Sequence, residues 1–396
     1  MNAVATTTDR LLGVYRKPDV VFNRGTGAWL YDSAGRPYLD FISGVGVTSL
    51  GHAHPRVAAA LAEQATSLCH TSNLFHHPWQ QAVVERLANL SGLDRVFLCN
   101  SGTEAVETCL KFARRYWRSQ GEERHEFVAL ERSFHGRTMG ALSVTWDAHY
   151  RDPFAPLVGP VTFVSPTDPA ALADAVTNRT AAVIVEPIQG EGGVRPLSHT
   201  FATAIGDACR RTGALLITDE VQCGLGRTGV PFAGPALGLS PDLMAVGKAL
   251  GAGFPVAAAL FSARVAAAAQ PGDHGSTYGG NALACRAALV FLEELMDRGL
   301  IERVREAGTA LERGLRSLAG RVPQIKEVRG AGLMWGLEIE GDALAAVNAA
   351  RGLGLLVNRT SETVLRLLPP YVVTHGEIER GLELLEAALL HAGEAS

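Results

Sequence analysis

The sequence has 396 residues, 47% of them hydrophobic and 19% charged, and a formal net charge of −4 at pH 7. Its length exceeds what one hydrophobic core usually organises, so we expect a large domain and a smaller one with a cleft between them. The sequence has no excess of cationic residues, so we do not expect nucleic acid as a partner. It has no uninterrupted run of about 18 apolar residues, so we do not expect a membrane-spanning segment.

The first predicted elements are short strands. Residues 20–42 contain apolar runs broken by Gly25, Gly27 and the turn Ser33–Gly35, a pattern typical of an antiparallel start. The first ten residues show no cationic region followed by an apolar one, so we expect a cytoplasmic location.

From His54 onward, helical periods alternate with short apolar runs, at residues 96–100, 127–131, 181–188, 214–221 and 242–248. This alternation predicts a parallel sheet covered by helices on both faces. After about Ala282 the pattern changes to long helices separated by strand-like runs at 325–339 and 355–370. The change predicts a second, mixed domain.

The six residues Gly224–Gly229 have the G-x-G-x-x-G spacing of a dinucleotide-binding loop. In such a loop the glycines open a helix, and an acidic residue ends the next strand about 20 positions later. Here a stretch rich in proline and glycine follows Gly229, and Asp242 precedes the next strand. A nicotinamide-dependent dehydrogenase therefore remains only a minor alternative.

Asp219 and Lys248 end two neighbouring apolar runs. Because ligands bind at the carboxyl ends of an open parallel sheet, this acid and this amine are expected to face one crevice. A structural ion pair explains the two residues equally well, because buried charges are usually paired.

Ser101, Gly102 and Thr103 lie between a strand and an amphipathic helix, whose free N–H groups can bind a phosphate. Ser101 and Glu104 also have the spacing of an ordinary capping box, which by itself explains the segment better. Phe134 and Arg137 follow the next strand, in a loop where an aromatic ring can stack on a ligand and an arginine can bind a carboxylate. Such aromatic residues often only pack.

Two other features carry less information. The histidine pairs at 52/54 and 76/77 lack acidic or cysteine partners at ligand spacing, so we expect no metal site. The cysteines show no C-x-x-C spacing and mostly lie in apolar segments, which is typical of reduced, buried thiols; they are Cys69, Cys99, Cys109, Cys209, Cys223 and Cys285.

The order of these motifs along the chain resembles that of the class III pyridoxal-phosphate aminotransferases of fold type I. The resemblance extends from about Gly25 to Ala388. The motifs NSGTEA, FHGRT, EPIQGEGG, DEVQ-x-GLGRTG, Gly247-Lys248 and HGSTYGGN carry the resemblance. HTSNLF at His70 and RGAGLMWG at Arg329 make it greatest for the acetylornithine branch of the family.

The resemblance implies an α/β fold with two domains. The large domain, at 49–282, would hold a mainly parallel, seven-stranded sheet. A smaller α+β domain would be built from both chain ends, at 1–48 and 283–396. The family also implies a homodimer with shared active sites.

The resemblance further implies pyridoxal 5'-phosphate as the cofactor, with catalytic roles for two residues. Lys248 would bind the cofactor aldehyde and later carry a proton. Asp219 would keep the pyridine nitrogen protonated. The resemblance implies that Ser101, Gly102 and Thr103 bind the phosphate and that Phe134 and Val221 cover the two ring faces. It also implies that Gln222 binds the phenolate oxygen and that Thr277 binds the phosphate of the partner subunit's cofactor.

The same resemblance implies the substrate contacts. Arg137 would bind the carboxylate of N2-acetylornithine, which Ser276 would also touch. Arg366 would bind the carboxylate next to the reacting carbon of 2-oxoglutarate, and Arg137 would bind its distal carboxylate. Glu191 would pair with Arg366 in the first half-reaction and release it in the second, because a buried arginine without a partner is costly.

The implied reaction converts N2-acetyl-L-ornithine and 2-oxoglutarate to N-acetyl-L-glutamate 5-semialdehyde and L-glutamate, a step of arginine biosynthesis. Carrier-protein-linked lysine is the first alternative amine donor, because SFHGRTMGALSVTW resembles both groups of enzymes, and succinyl-diaminopimelate and free ornithine are further alternatives. A catalytically silent binding protein is a further alternative, against which Lys248 and Asp219 argue. Ala282 stands where the family commonly has proline, which predicts a looser loop near Thr277.

Overall fold

The computed structural model describes residues 10–394, and its strands fall into a large central sheet and three small ones. Residues 1–9 and 395–396 lie outside the described residues, and the expectation drawn from the first ten residues therefore falls mostly outside them. The strands are β1 Phe22–Thr26, β2 Trp29–Asp32, β3 Pro37–Asp40, β4 Arg95–Cys99, β5 Glu126–Leu130, β6 Val161–Val164, β7 Thr180–Val185, β8 Ile188–Gln189, β9 Arg195–Pro196, β10 Leu215–Asp219, β11 Leu243–Val246, β12 Ala257–Phe261, β13 Ile325–Ala331, β14 Met334–Ile339, β15 Leu355–Leu356, β16 Asn358–Arg359 and β17 Val364–Leu367.

Helices occupy the longer connections between these strands. Short 3-10 turns occur at Asp152–Phe154 and Lys248–Gly251. The helices are α1 Ser43–Gly46, α2 Pro55–Ser67, α3 Pro78–Ser91, α4 Gly102–Ser119, α5 Met139–Ser143, α6 Ala148–Arg151, α7 Pro169–Ala175, α8 His199–Thr212, α9 Ala233–Ala236, α10 Ala263–Ala266, α11 Ala282–Asp297, α12 Leu300–Ala319, α13 Ala343–Leu353 and α14 His375–Glu394. In the described part of the chain, no helix is long and apolar enough to cross a membrane.

The central sheet has seven strands in the order β4-β12-β11-β10-β7-β5-β6. Only β12 runs antiparallel to its neighbours, β4 and β11, so the predicted mainly parallel sheet is confirmed. Strand β12 is not among the predicted strands, because its alanine-rich run AAALF has little intrinsic preference for a strand. Its burial between two strands stabilises it instead.

Helices cover both faces of this sheet, as predicted. Successive residues of β10 point to opposite faces, so Leu216 packs in the cluster with Phe201 of α8. Ile217 packs in the cluster with Phe112 of α4. The apolar side chains on each face of the sheet therefore pack against one layer of helices. The carboxyl edge of the strands lies between these layers and is open to a ligand.

The small sheets join distant parts of the chain. β3 pairs in parallel with β15, through Leu39 beside Leu355, so both chain ends build one sheet. This pairing confirms the α+β domain that was expected from the two ends. The boundaries of the large domain at 49–282 and of the small domain at 1–48 and 283–396 remain predictions, and residues 1–9 and 395–396 are not described.

The glycine-rich segment after β10 forms a turn. Residues Gly224–Gly229 contain no helix, and the next helix, α9, begins only at Ala233. The glycines therefore do not build the strand-to-helix junction that a dinucleotide-binding loop requires.

Candidate functional site

A cavity of about 260 Å³ opens at the carboxyl edge of the central sheet. It brings together nine of the residues singled out in the sequence, from five separate segments of the chain. Its lining consists of Gly102, Thr103, Phe134, His135, Gly136, Arg137, Glu186, Glu191, Asp219, Val221, Gln222 and Lys248.

Four predicted residues lie outside this lining. Ser101 caps α4, where its Oγ accepts a hydrogen bond from the Glu104 N–H at 3.4 Å, so the expected cap forms beside the cavity. The Ser276 Oγ accepts hydrogen bonds from Asn100 Nδ2 and Gly279 N, and Thr277 is exposed. Arg366 contacts the cavity residues Glu191 and Gln222.

Lys248 follows β11 and begins a 3-10 turn with a positive φ of 42°. A non-glycine residue in this left-handed region is uncommon and often marks a functional site. Its side chain forms no hydrogen bond or ion pair within residues 10–394. Burial is the main cause that lowers the pKa of Lys248, which favours a neutral amine.

Asp219 ends β10, the strand beside β11, and is 5% exposed. Its Oδ2 lies 2.8 Å from His135 Nδ1, and its Oδ1 accepts the Val221 N–H at 3.1 Å. The sequence analysis missed His135, although the residue stands beside Phe134 in the FHGRT motif. Its buried Nε2 has no hydrogen-bond partner among the described residues.

Glu186 is a second residue that the sequence analysis did not single out. Its Oε1 accepts the Phe134 N–H at 2.9 Å and its Oε2 accepts the Gly190 N–H at 3.0 Å. The carboxyl thus joins the loop that carries the aromatic ring to the loop that carries Glu191. Burial raises the pKa of Glu186 to about 7, and the nearby Asp219 adds to the rise. Its position directly after the apolar run of β7 was the available signal.

The start of α4 has no room for larger side chains. A Cβ on Gly102 would lie 2.6 Å from Val221 Cγ1, and one on Gly136 would lie 2.3 Å from Thr103 Oγ1. The N–H groups of Gly102 and Thr103 have no acceptor in the described part of the chain. They begin an 18-residue helix, whose dipole favours an anion at this end.

Arg366, on β17, reaches the same region from the other domain and is 1% exposed. Its NH1 donates to Glu191 Oε1 at 2.6 Å and to Gln222 Oε1 at 3.1 Å. Burial by itself would raise the pKa of Glu191, but Arg366 and Lys248 outweigh it and hold that pKa below its usual range. The two residues expected to pair therefore form a close ion pair.

The donor set of the cavity fits a flat, phosphate-bearing heterocycle that carries an aldehyde. Phe134 and Val221 supply apolar surfaces, Asp219 a carboxylate, Lys248 an amine and the start of α4 an anion site. Among residues 10–394, no cluster of three or more His, Cys, Asp or Glu side chains could hold a metal ion.

Residues 14–389 match the family model of the class III aminotransferases. The chain is 42% identical over 381 residues to the acetylornithine aminotransferase of Clostridium acetobutylicum, across 96% of this chain and 98% of the relative. It resembles the solved ornithine aminotransferase of Toxoplasma gondii, with TM-score 0.93, 35% identity and coverage of 98% and 94%. An amine transaminase of an uncultivated Pseudomonas species, solved with pyridoxal phosphate bound, gives TM-score 0.90 and 30% identity, with coverage of 99% and 100%.

Proposed function

Because the chain belongs to the class III aminotransferases, we propose that it uses pyridoxal 5'-phosphate to transfer the side-chain amine of N2-acetyl-L-ornithine to 2-oxoglutarate. The products are N-acetyl-L-glutamate 5-semialdehyde and L-glutamate, as in arginine biosynthesis. The observation that carries this proposal is the single cavity shared by Lys248, Asp219, Phe134 and Val221. The family model and the similar proteins confirm the predicted family, fold class and enzyme class.

When bound, pyridoxal phosphate supplies an aldehyde and a ring that withdraws electrons from the substrate carbon. In our assignment Asp219 holds a proton at the ring nitrogen, and His135 orients that carboxylate. Gly102 and Thr103, next to Ser101, would bind the phosphate, and Phe134 and Val221 would contact the two faces of the ring. Gln222 would bind the ring oxygen, and Thr277 would bind the phosphate of the partner subunit's cofactor.

Lys248 is the proposed nucleophile and proton carrier. Burial lowers the pKa of its amine, so more of the neutral form is present to act as a base at neutral pH. With the cofactor bound, this amine would carry a proton from the substrate carbon to the cofactor carbon that bore the aldehyde. Its position beside the carboxylate of Asp219 keeps both groups at one ligand.

Two arginines are proposed to bind the substrate carboxylates. Arg137 takes the carboxylate of acetylornithine, a substrate that Ser276 also touches, and the distal carboxylate of 2-oxoglutarate. Arg366 takes the carboxylate next to the reacting carbon, and Glu191 covers this arginine while acetylornithine is bound. The observed ion pair between Glu191 and Arg366 supports such a gate.

Replacing Glu191 with alanine is expected to leave the Arg366 guanidinium without its carboxylate partner and thus open to α-carboxylates. We expect the preference for acetylornithine over glutamate as amine donor, measured as a ratio of kcat/KM values, to fall about tenfold. The reason is that a substrate carboxylate newly able to pair with Arg366 gains about 1–2 kcal/mol of binding free energy. Glu340→Ala, at an exposed carboxylate paired with Lys326, is the control. An unchanged preference in Glu191→Ala would exclude the gate.

The assembly and location are proposed as a cytoplasmic homodimer. Thr277 is exposed and lies outside the cavity of its own subunit, as a residue that serves a partner subunit should. All six cysteines are free, and five of them are buried, which fits a reducing compartment.

Free ornithine is the second candidate donor, because the similarity to the Toxoplasma gondii ornithine aminotransferase is high. We expect kcat/KM for acetylornithine to exceed that for ornithine by at least about tenfold, because an unpaired α-ammonium group is costly in a site built for an amide. Purified protein supplied with the cofactor should be assayed side by side with acetylornithine, ornithine, succinyl-diaminopimelate and carrier-linked lysine. Faster turnover of another donor would reassign the substrate, and no turnover would favour a binding protein.

A further inference from the structure

The two arginines assigned to substrate carboxylates are held in different ways. Arg366 is buried and donates to the carboxylate of Glu191. Arg137 is exposed, and its Cζ lies 3.5 Å from the ring centroid of Tyr150 and 5.5 Å from that of Phe134. Within residues 10–394, the Arg137 side chain forms no hydrogen bond and no ion pair. A carboxylate therefore neutralises one arginine, and aromatic rings hold the other.

An aromatic ring attracts a guanidinium through the negative charge density of its face. The five N–H donors of arginine point outward in the plane of the guanidinium, so a contact with its face leaves them free. The contact with Tyr150 therefore restricts the orientation of Arg137 and keeps its donors available for a bidentate carboxylate.

The structure also shows what fixes Tyr150. The residue lies on the short helix α6, where the Asp147 side chain accepts the His149 N–H at 2.9 Å. On either side of it, Trp146 and Arg151 both contact the ring of Phe163 on β6. The ring centroids of Trp146 and Phe163 are 5.2 Å apart, and the Arg151 Cζ lies 4.7 Å from the Phe163 centroid. Tyr150 is thus anchored to the central sheet.

We propose that Tyr150 is a positioning residue that sets the specificity for substrates carrying a second carboxylate. It holds Arg137 in its binding orientation during both half-reactions without neutralising the charge. This inference rests on the proposed function, in which Arg137 binds one carboxylate of each substrate whereas Arg366 binds a carboxylate of only one. A carboxylate partner in place of Tyr150 would have to be displaced in every half-reaction.

The test compares Tyr150→Ala with Tyr150→Phe in the enzyme loaded with cofactor. In Tyr150→Ala we expect KM for acetylornithine and for 2-oxoglutarate to rise about tenfold, equivalent to about 1.4 kcal/mol, with kcat within about twofold. The Kd of glutarate, measured by calorimetry, should rise equally, whereas pyruvate, which has no distal carboxylate, should react as with the wild type. Tyr150→Phe should retain wild-type values, because the ring face remains.

Tyr31→Ala is the matched control, because it removes a stack of similar distance, Arg24 over Tyr31 at 3.7 Å, from the N-terminal sheet. Tyr150→Leu keeps more side-chain volume and should behave like Tyr150→Ala. In the double variant with Arg137→Ala, the loss from Tyr150→Ala should disappear, because the residue acts through Arg137.

Two results would overturn this role and leave the proposed function intact. One is unchanged glutarate affinity in Tyr150→Ala beside weakened affinity in Arg137→Ala. The other is an equal loss for pyruvate and 2-oxoglutarate. Unchanged glutarate affinity in Arg137→Ala would overturn both the role of Tyr150 and the proposed carboxylate site.

Discussion

Replacing Lys248 with alanine is expected to lower the rate of transamination by about 10⁴-fold, the upper range for the loss of one positioned acid–base group. Among the described residues, Lys248 is the only lysine that lines the cavity, and neither Arg137 in the lining nor Arg366 beside it loses a proton at neutral pH. The variant should also lose the visible absorption of covalently held cofactor that borohydride bleaches in the wild type. Both losses follow from the removal of the same amine.

The spectrum and the rate should be measured on the same preparation, with added pyridoxal phosphate. Lys326→Ala provides the control, because Lys326 is an exposed lysine on β13 that pairs with Glu340. This variant should keep both the absorption and the rate. A Lys248→Ala protein that still forms the borohydride-sensitive band would place the reactive amine elsewhere and refute the assignment.

The second large effect is expected for Asp219→Asn, in which we predict a fall in kcat/KM of about 10³-fold. A carboxylate about 4 Å from a ring nitrogen contributes about 4 kcal/mol at an effective dielectric constant near 20, and each 1.4 kcal/mol is a factor of ten. The amide keeps the shape and can still accept the Val221 N–H. The loss therefore reports the charge of Asp219 more than its size.

The pH dependence of the cofactor spectrum supplies an independent measurement for this variant. Without the carboxylate, the ring nitrogen should lose its proton at lower pH than in the wild type, because the positive charge is no longer stabilised. Asp207→Asn, at an exposed residue of α8, is the control and should leave both measurements unchanged. An Asp219→Asn enzyme with wild-type activity would show that the pair with His135 is only structural.

Several features of the site were predictable because local patterns determine them. The apolar runs identified β10 and β11, and parallel strands bring their carboxyl ends to one edge. Asp219 and Lys248 were therefore expected in one crevice, and both line the same cavity. The capping box at Ser101 was also predictable, because it depends only on residues three apart.

Other contacts depend on how distant segments pack, and no local pattern predicts them. The bond from His135 to Asp219 joins residues 84 positions apart, and the pair of Arg366 with Glu191 spans 175 positions. Each requires a particular strand order and a particular approach of the small domain. The contact of Tyr150 with Arg137 likewise depends on where α6 rests against β6.

The amino-acid sequence by itself thus determined the alternation of strands and helices, the edge that carries the reactive groups and the family resemblance. These depend on periodicity and on residue types at fixed spacing. Only the tertiary structure decided which aromatic ring holds Arg137, which histidine holds Asp219 and where β12 enters the sheet. The reason is physical: such contacts are selected by burial and close packing between segments that are far apart in the chain.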